Sequence, residues 1–117
     1  MTVICFDLDG VLCNQTTGDY EKAIPNQEAI ELANQLYDEG NQIIIYTSRF
    51  MNRSHNNMIE AYKAGYEFTR QQLLGWGVKF HDLYLGKPIY DVVIDDKAVF
   101  FTADWEVIHA NVRVASK

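Results

Sequence analysis

Residues 42–47 read Gln42-Ile43-Ile44-Ile45-Tyr46-Thr47, an apolar run without alternation that ends on a hydroxyl. A strand covered on both faces has that look, as in a parallel sheet flanked by helices. Toward the amino terminus, residues 2–7 (TVICFD) form a second such run, ending on an acid. Between the two lie a polar loop, residues 8–25, and a helical pattern. Asn26 suits an N-cap and Glu28 a first helical turn. Ile30, Ala33, Leu36 and Tyr37 recur at helical spacing, and Gly40 supplies the stop. Toward the carboxyl terminus, residues 55–74 predict a longer helix, with Met58, Ile59, Tyr62, Tyr66, Thr69 and Leu73 on one stripe. Residues 82–85 predict a short strand, followed by a Gly86-Lys87-Pro88 turn. Residues 91–94 (DVVI) predict another strand, ending in Asp95-Asp96. Residues 99–102 are strand-like, and 103–112 fit no single pattern. The alternation of strands and helices makes this an α/β domain with a mostly parallel sheet.

Sheets of that kind hold ligands beyond the carboxyl ends of their strands. The predicted strands end at Asp7-Leu8-Asp9, Thr47-Ser48, Lys87 and Asp95-Asp96. Acids crowded at one edge repel each other and call for a cation, and hard oxygen ligands suit Mg²⁺. A lysine and hydroxyls beside such an ion form a phosphate site. Asp7 and Asp9 stand two apart, with Gly10 giving the backbone room to turn. One can attack phosphorus while the other handles the proton. Asp-x-Asp-Gly alone is more often a turn than a site; the three matching strand ends tip the balance.

The composition bounds the rest. A chain of 117 residues has the length of one domain. With 48% hydrophobic residues it can build a core without staples. The longest apolar runs, such as residues 43–46 and 98–101, fall far short of the ~18–20 residues of a membrane span. Nothing at the amino terminus resembles a signal peptide, because no basic region precedes Asp7. The net charge of −6 weighs against a nucleic-acid partner. Two cysteines, Cys5 and Cys13, make neither a disulfide framework nor a metal motif, which fits a reducing cytoplasm.

Four segments in order resemble the haloacid dehalogenase (HAD) superfamily of phosphotransferases. They are Phe6-Asp7-Leu8-Asp9-Gly10-Val11-Leu12, Ile43-Ile44-Ile45-Tyr46-Thr47-Ser48-Arg49, Gly86-Lys87-Pro88 and Val92-Val93-Ile94-Asp95-Asp96. The resemblance implies a single Rossmann-like domain of HAD type. It implies Asp7 as nucleophile through an aspartyl phosphate, and Asp9 as the acid that protonates the leaving oxygen and later activates water. Mg²⁺ would sit between the Asp7 carboxylate, the Asp9 carbonyl and Asp95. Thr47 and the Ser48 amide would hold phosphate oxygens, and Lys87 would balance charge. Asp96 would orient a metal-bound water. The gaps between motifs hold no cap domain, so the chain is similar to capless members, among them sugar-phosphate phosphatases of surface-polysaccharide synthesis. The implied substrate is a small phosphorylated sugar or related metabolite.

Other readings compete. A receiver-like phospho-Asp module shares the residue types, but its acid pair follows the first strand and its phosphorylated Asp ends a middle strand. A dehalogenase needs no acid at Asp9. A polynucleotide or nucleotide end phosphatase meets the objection of net charge. Arg49 stands near enough to Thr47 to meet the substrate's phosphate or an acid. Cys13 reads as a small loop residue and Cys5 as core. His55, His81 and His109 lack ligand spacing. The polar loop 14–21 reads as a flap, and the spare apolar side chains Phe50, Tyr62, Phe68, Trp76, Phe100, Phe101 and Trp105 point to a homo-oligomer that covers the site.

Overall fold

Three parallel strands carry the fold of the computed structural model, which describes residues 2–115. They are β1 (Val3–Phe6), β2 (Gln42–Tyr46) and β3 (Asp82–Tyr84), in the order β1-β2-β3. Phe6 stands opposite Ile45, and Ile45 opposite Leu83. These side chains, with Ile43, are buried in one core with Ile30, Ala33 and Leu36 of helix α1 (Gln27–Asp38). The architecture is a small α/β domain, compatible with a Rossmann-like unit.

The other face of the sheet is less covered than an unalternating β2 implies. Ile44 and Tyr46 are only half-buried there, and Val3, Cys5 and Tyr84 are exposed. An open groove of about 770 Å³ runs between Ile44, Tyr46 and Tyr84 and the residues Met58, Ile59 and Tyr62 of helix α2 (Met58–Gly75). Cys5, expected in the core, is therefore on the surface.

Local chemistry explains the helix limits. The Asn26 side chain accepts from the Ala29 amide and opens α1; the Asn57 side chain accepts from the Glu60 amide and opens α2. α2 does not begin at His55. His55 and Asn56 sit at φ of 52° and 60°, in a left-handed turn that no helix can include. Its buried line is also rotated from the expected stripe. Ala61, Gly65, Thr69 and Leu73 face inward, Tyr62 and Tyr66 lie half-buried, and Met58 and Ile59 are exposed.

The reason is Phe50, whose ring lies on Gly65, so that a methyl there would overlap it. The ring has little freedom to move. Phe50 holds φ at 68°, donates its amide to the Tyr20 hydroxyl, and packs against Tyr20 and Phe68 at 4.9 and 6.4 Å between centroids. Overpacking costs about 1–3 kcal/mol, against about 1 kcal/mol that alanine gains over glycine in a helix. Gly65→Ala is thus expected to lower the urea midpoint with an unchanged slope. A raised midpoint would show that the ring yields freely.

Most of residues 103–112 falls in helix α3 (Trp105–Ala115), which packs on α1 through buried Ile108. His109 and Arg113 lie 3.4 and 3.9 Å from the Glu39 carboxylate at the end of α1. Ahead of α3, residues 88–104 form neither helix nor strand. The strand expected at 91–94 is absent, and so is that at 99–102. Val92, Val93 and Ile94 are 78%, 54% and 98% exposed. A strand needs a neighbour for its backbone groups, and β2 is the only strand that β1 pairs with among the described residues. No helix among the described residues is long and apolar enough to cross a membrane.

Candidate active site at the carboxyl edge of the sheet

β1 delivers Asp7 to the carboxyl edge, and the chain then turns back on itself. The amides of Val11, Leu12 and Cys13 all donate to the Leu8 carbonyl, and Gly10 takes φ of 91°. Leu8 and Leu12 are fully buried and pin this turn to the core. The Asp7 carboxylate accepts from the Leu8 amide at 2.8 Å and lies 3.5 Å from the Lys87 amine. Lys87 is held there by its own amide, which donates to the Thr47 carbonyl at 3.2 Å. The Lys87 amine also lies 5.5 Å from the centre of the Tyr90 ring.

Burial pushes the Asp7 carboxyl above its ordinary range, against the pull of Lys87 and the Leu8 amide. Burial pulls the Lys87 amine down, yet Asp7 and Tyr90 more than offset this and leave it raised. The two partners thus disagree on whether the pair gains by folding. Water settles the matter, since the Asp7 side chain keeps 40% of its exposure. The pair is worth little to stability and leaves Asp7 an accessible oxygen.

Thr47 is 1% exposed, and its hydroxyl oxygen accepts from the Arg49 amide at 3.1 Å. Its O–H hydrogen can still be donated to another acceptor. Ser48 is half-buried, and its carbonyl accepts from the Met51 amide.

Arg49 is enclosed by the protein's own groups. It is buried, and its guanidinium grips the Asp9 carboxylate with two bonds of 2.9 Å, Nε to Oδ2 and Nη2 to Oδ1. A forked pair of this kind fixes both charge and orientation. Thr16 Oγ1 and Cys13 Sγ donate to Asp9 as well, at 3.2 and 3.3 Å. Arg49 Nη1 reaches Gln72 of α2 at 2.6 Å, and Gln72 in turn donates to the Tyr20 carbonyl at 2.8 Å. The guanidinium also lies 4.7 Å from the centre of the Tyr20 ring. Tyr20 belongs to a short 3-10 turn (Tyr20–Lys22), and Arg53 donates to the Gly18 carbonyl beside it. The loop expected to act as a flap is therefore anchored to the site. Sequence reasoning missed Tyr20, Gln72 and Thr16, because nothing in a local pattern announces a partner on another element.

Cys13 is buried in this network. Burial first, and then the Asp9 charge, push its thiol up to about 12, so it is no nucleophile at neutral pH. Among the histidines, His81 Nδ1 accepts from the Ile43 amide and its ring stacks on Tyr37.

Asp95 and Asp96 are not part of this cluster. Both are exposed on the segment 88–104, and Asp95 accepts from the Lys97 amide. Among the described residues, no three His, Cys, Asp or Glu side chains are grouped so as to hold a metal ion. The residues at this edge of one chain therefore do not by themselves fit the Mg²⁺ centre expected from Asp7, Asp9 and Asp95.

No family model matches the sequence, and none of the curated proteins matches it. The chain is similar in structure to an MCSG target from Vibrio cholerae, known from a crystal structure. The TM-score is 0.78 with 24% identity, over 95% of this chain and 98% of that one. At that identity the likeness concerns the fold.

Proposed function

We propose that the protein is a phosphomonoester hydrolase of the HAD type, working through an aspartyl phosphate on Asp7. The observation that supports it best is the Asp7 carboxylate at the end of β1, 3.5 Å from Lys87, whose amide bonds to Thr47 at the end of β2. An Asp7 oxygen attacks phosphorus, and the bond from phosphorus to the leaving oxygen breaks. Lys87 and the Thr47 hydroxyl offset charge on the phosphoryl oxygens, the Ser48 amide assisting. Water then attacks the phosphorus, Asp9 takes its proton, and phosphate departs with Asp7 restored.

Asp9 also serves the first half by giving a proton to the leaving oxygen. Asp9→Asn is expected to lower turnover roughly 10²–10⁴-fold on alkyl phosphates, the usual worth of general acid–base catalysis. The loss should be smaller on an aryl phosphate, whose leaving group departs without a proton. Equal losses on both would remove Asp9 from the proton-transfer role.

The substrate class proposed is a small phosphorylated sugar or related metabolite, in a cytoplasmic setting that keeps Cys5 and Cys13 as free thiols. Mg²⁺ belongs to the same reading, and its Asp95 ligand would require the exposed segment 88–104 to lie against the edge that holds Asp7. The test is a panel of sugar phosphates, nucleotides, an aryl phosphate and 5′- or 3′-phosphorylated oligonucleotides. Phosphate release from the small esters, abolished by EDTA and restored by Mg²⁺, is expected. No release from any member, or release confined to oligonucleotides, would overturn it.

A further inference from the structure

Asp9 is held by Arg49, and Arg49 is itself held from behind. Its Nη1 donates to the Gln72 side-chain oxygen at 2.6 Å, and the Gln72 side-chain nitrogen donates to the Tyr20 carbonyl at 2.8 Å. We propose that Gln72 is a positioning residue for Asp9, acting through the Arg49 guanidinium. The role in turnover rests on the phosphatase reading; the hold on Arg49 does not.

The Asp9 carboxylate is unevenly engaged. Oδ1 accepts from Arg49 Nη2, Thr16 Oγ1 and Cys13 Sγ. Among the described residues, Oδ2 accepts only from Arg49 Nε. Each carboxylate oxygen has two lone-pair directions, so Oδ1 is crowded and Oδ2 keeps one open. Oδ2 is therefore the oxygen with room to give or take a proton. Its direction follows the Arg49 Nε–H, because a forked pair ties the carboxylate to the plane of the guanidinium. That plane is set in turn by what stands behind it. The Tyr20 ring closes one side at 4.7 Å, and Gln72 takes Nη1.

Of the side chains that could stand at this place, only an amide answers both neighbours. Arg49 Nη1 is a donor and needs an oxygen; the Tyr20 carbonyl is an acceptor and needs an N–H. A glutamate would lack the N–H and would compete with Asp9 for the guanidinium. An asparagine is one methylene shorter. The anchor is also firm at its base, since the next residue, Leu73, is fully buried and pins this turn of α2 to the core. Gln71, on the other side, is exposed and bonds to Glu67 of its own helix. Gln72 thus ties α2 and the Tyr20 turn to the one group that aims Oδ2. Small displacements matter at such a place, because a misplacement of about 1 Å can cost roughly 10²-fold in rate.

Gln72→Met keeps the length and the helix preference and removes both bonds. Turnover on an alkyl phosphate should fall roughly 10–10²-fold with KM unchanged, and far less on an aryl phosphate. In an Asp9→Asn background the same change should cost nothing further, because the group it positions is gone. Equal losses on alkyl and aryl esters, a second loss on top of Asp9→Asn, or no loss at all would overturn the role. Exchange of the Arg49 Nε–H with water, followed by NMR, reads the hold itself. Arg49 is buried while Arg53, Arg70 and Arg113 are not, so its signal is the slow one of the four. Gln72→Met should quicken that exchange several-fold; an unchanged rate would refute the hold. Faster exchange in a protein inactive on every phosphate would refute the phosphatase reading, and the role in turnover with it, and leave the hold standing.

Discussion

Asp7→Asn is expected to abolish phosphate release while leaving the fold intact. Loss of a nucleophile costs roughly 10⁴–10⁶-fold in turnover, with only binding and charge stabilisation left behind. The stability side follows from the shift at Asp7. Its carboxyl is raised chiefly by burial, so folding favours the protonated form. A group raised in this way supports the fold at low pH and loses that support as pH rises through its folded value. At neutral pH the ionised Asp7 therefore costs a little stability, and the amide removes that cost. Lys87 loses a partner in exchange, which pulls the other way. Half-exposed as the pair is, the melting temperature at pH 7 should move little. Relative to the unaltered protein it should rise as pH climbs from below the carboxylate range toward neutrality. Residual turnover within tenfold of normal would remove Asp7 from the chemistry. A collapse of the melting temperature would show a structural role instead.

Arg49→Met should be the most destabilising single change at the site. It leaves the Asp9 carboxylate, largely buried, without its two guanidinium bonds. It also frees Gln72 and the Tyr20 ring. Breaking a buried pair from one side costs about 3–5 kcal/mol, a large share of the roughly 5–15 kcal/mol that holds a domain. Urea unfolding is the measurement. Adding Asp9→Leu to Arg49→Met should recover part of the loss, because the stranded charge is then gone. A single variant within about 1 kcal/mol of the unaltered protein would mean that water replaces the guanidinium easily.

Much of the frame is readable in the sequence because it is local. The apolar runs before Asp7, Thr47 and Leu85 predict β1, β2 and β3 to within a residue or two, and Asn26 marks the start of α1. The strand-end rule also brings Lys87 and Thr47 to the edge occupied by Asp7. What escapes is what depends on partners far along the chain. Arg49 and Asp9 are 40 residues apart, and Arg49 and Gln72 are 23 apart. No periodicity encodes such a meeting, so nothing in the sequence announces that Arg49 grips Asp9. Gly65 rotates the buried line of α2 because one ring from a loop needs the space. Residues 91–94 have the composition of a strand, but a ladder also requires a neighbour within reach.

The Arg49 hub has a consequence for the order of folding. Its contacts join the first turn, the loop around Tyr20, the end of β2 and the second half of α2. Closing loops of that length is slow in entropy terms, and the reward arrives only when all the segments are present. A chain still emerging from synthesis, with α2 not yet made, has nowhere to place Gln72 and no wall behind the guanidinium. Asp9 cannot be fixed until then. The Asp9 carboxylate is thus among the last groups to be fixed, and partly folded chains carry the Asp7 turn before its neighbour is in place.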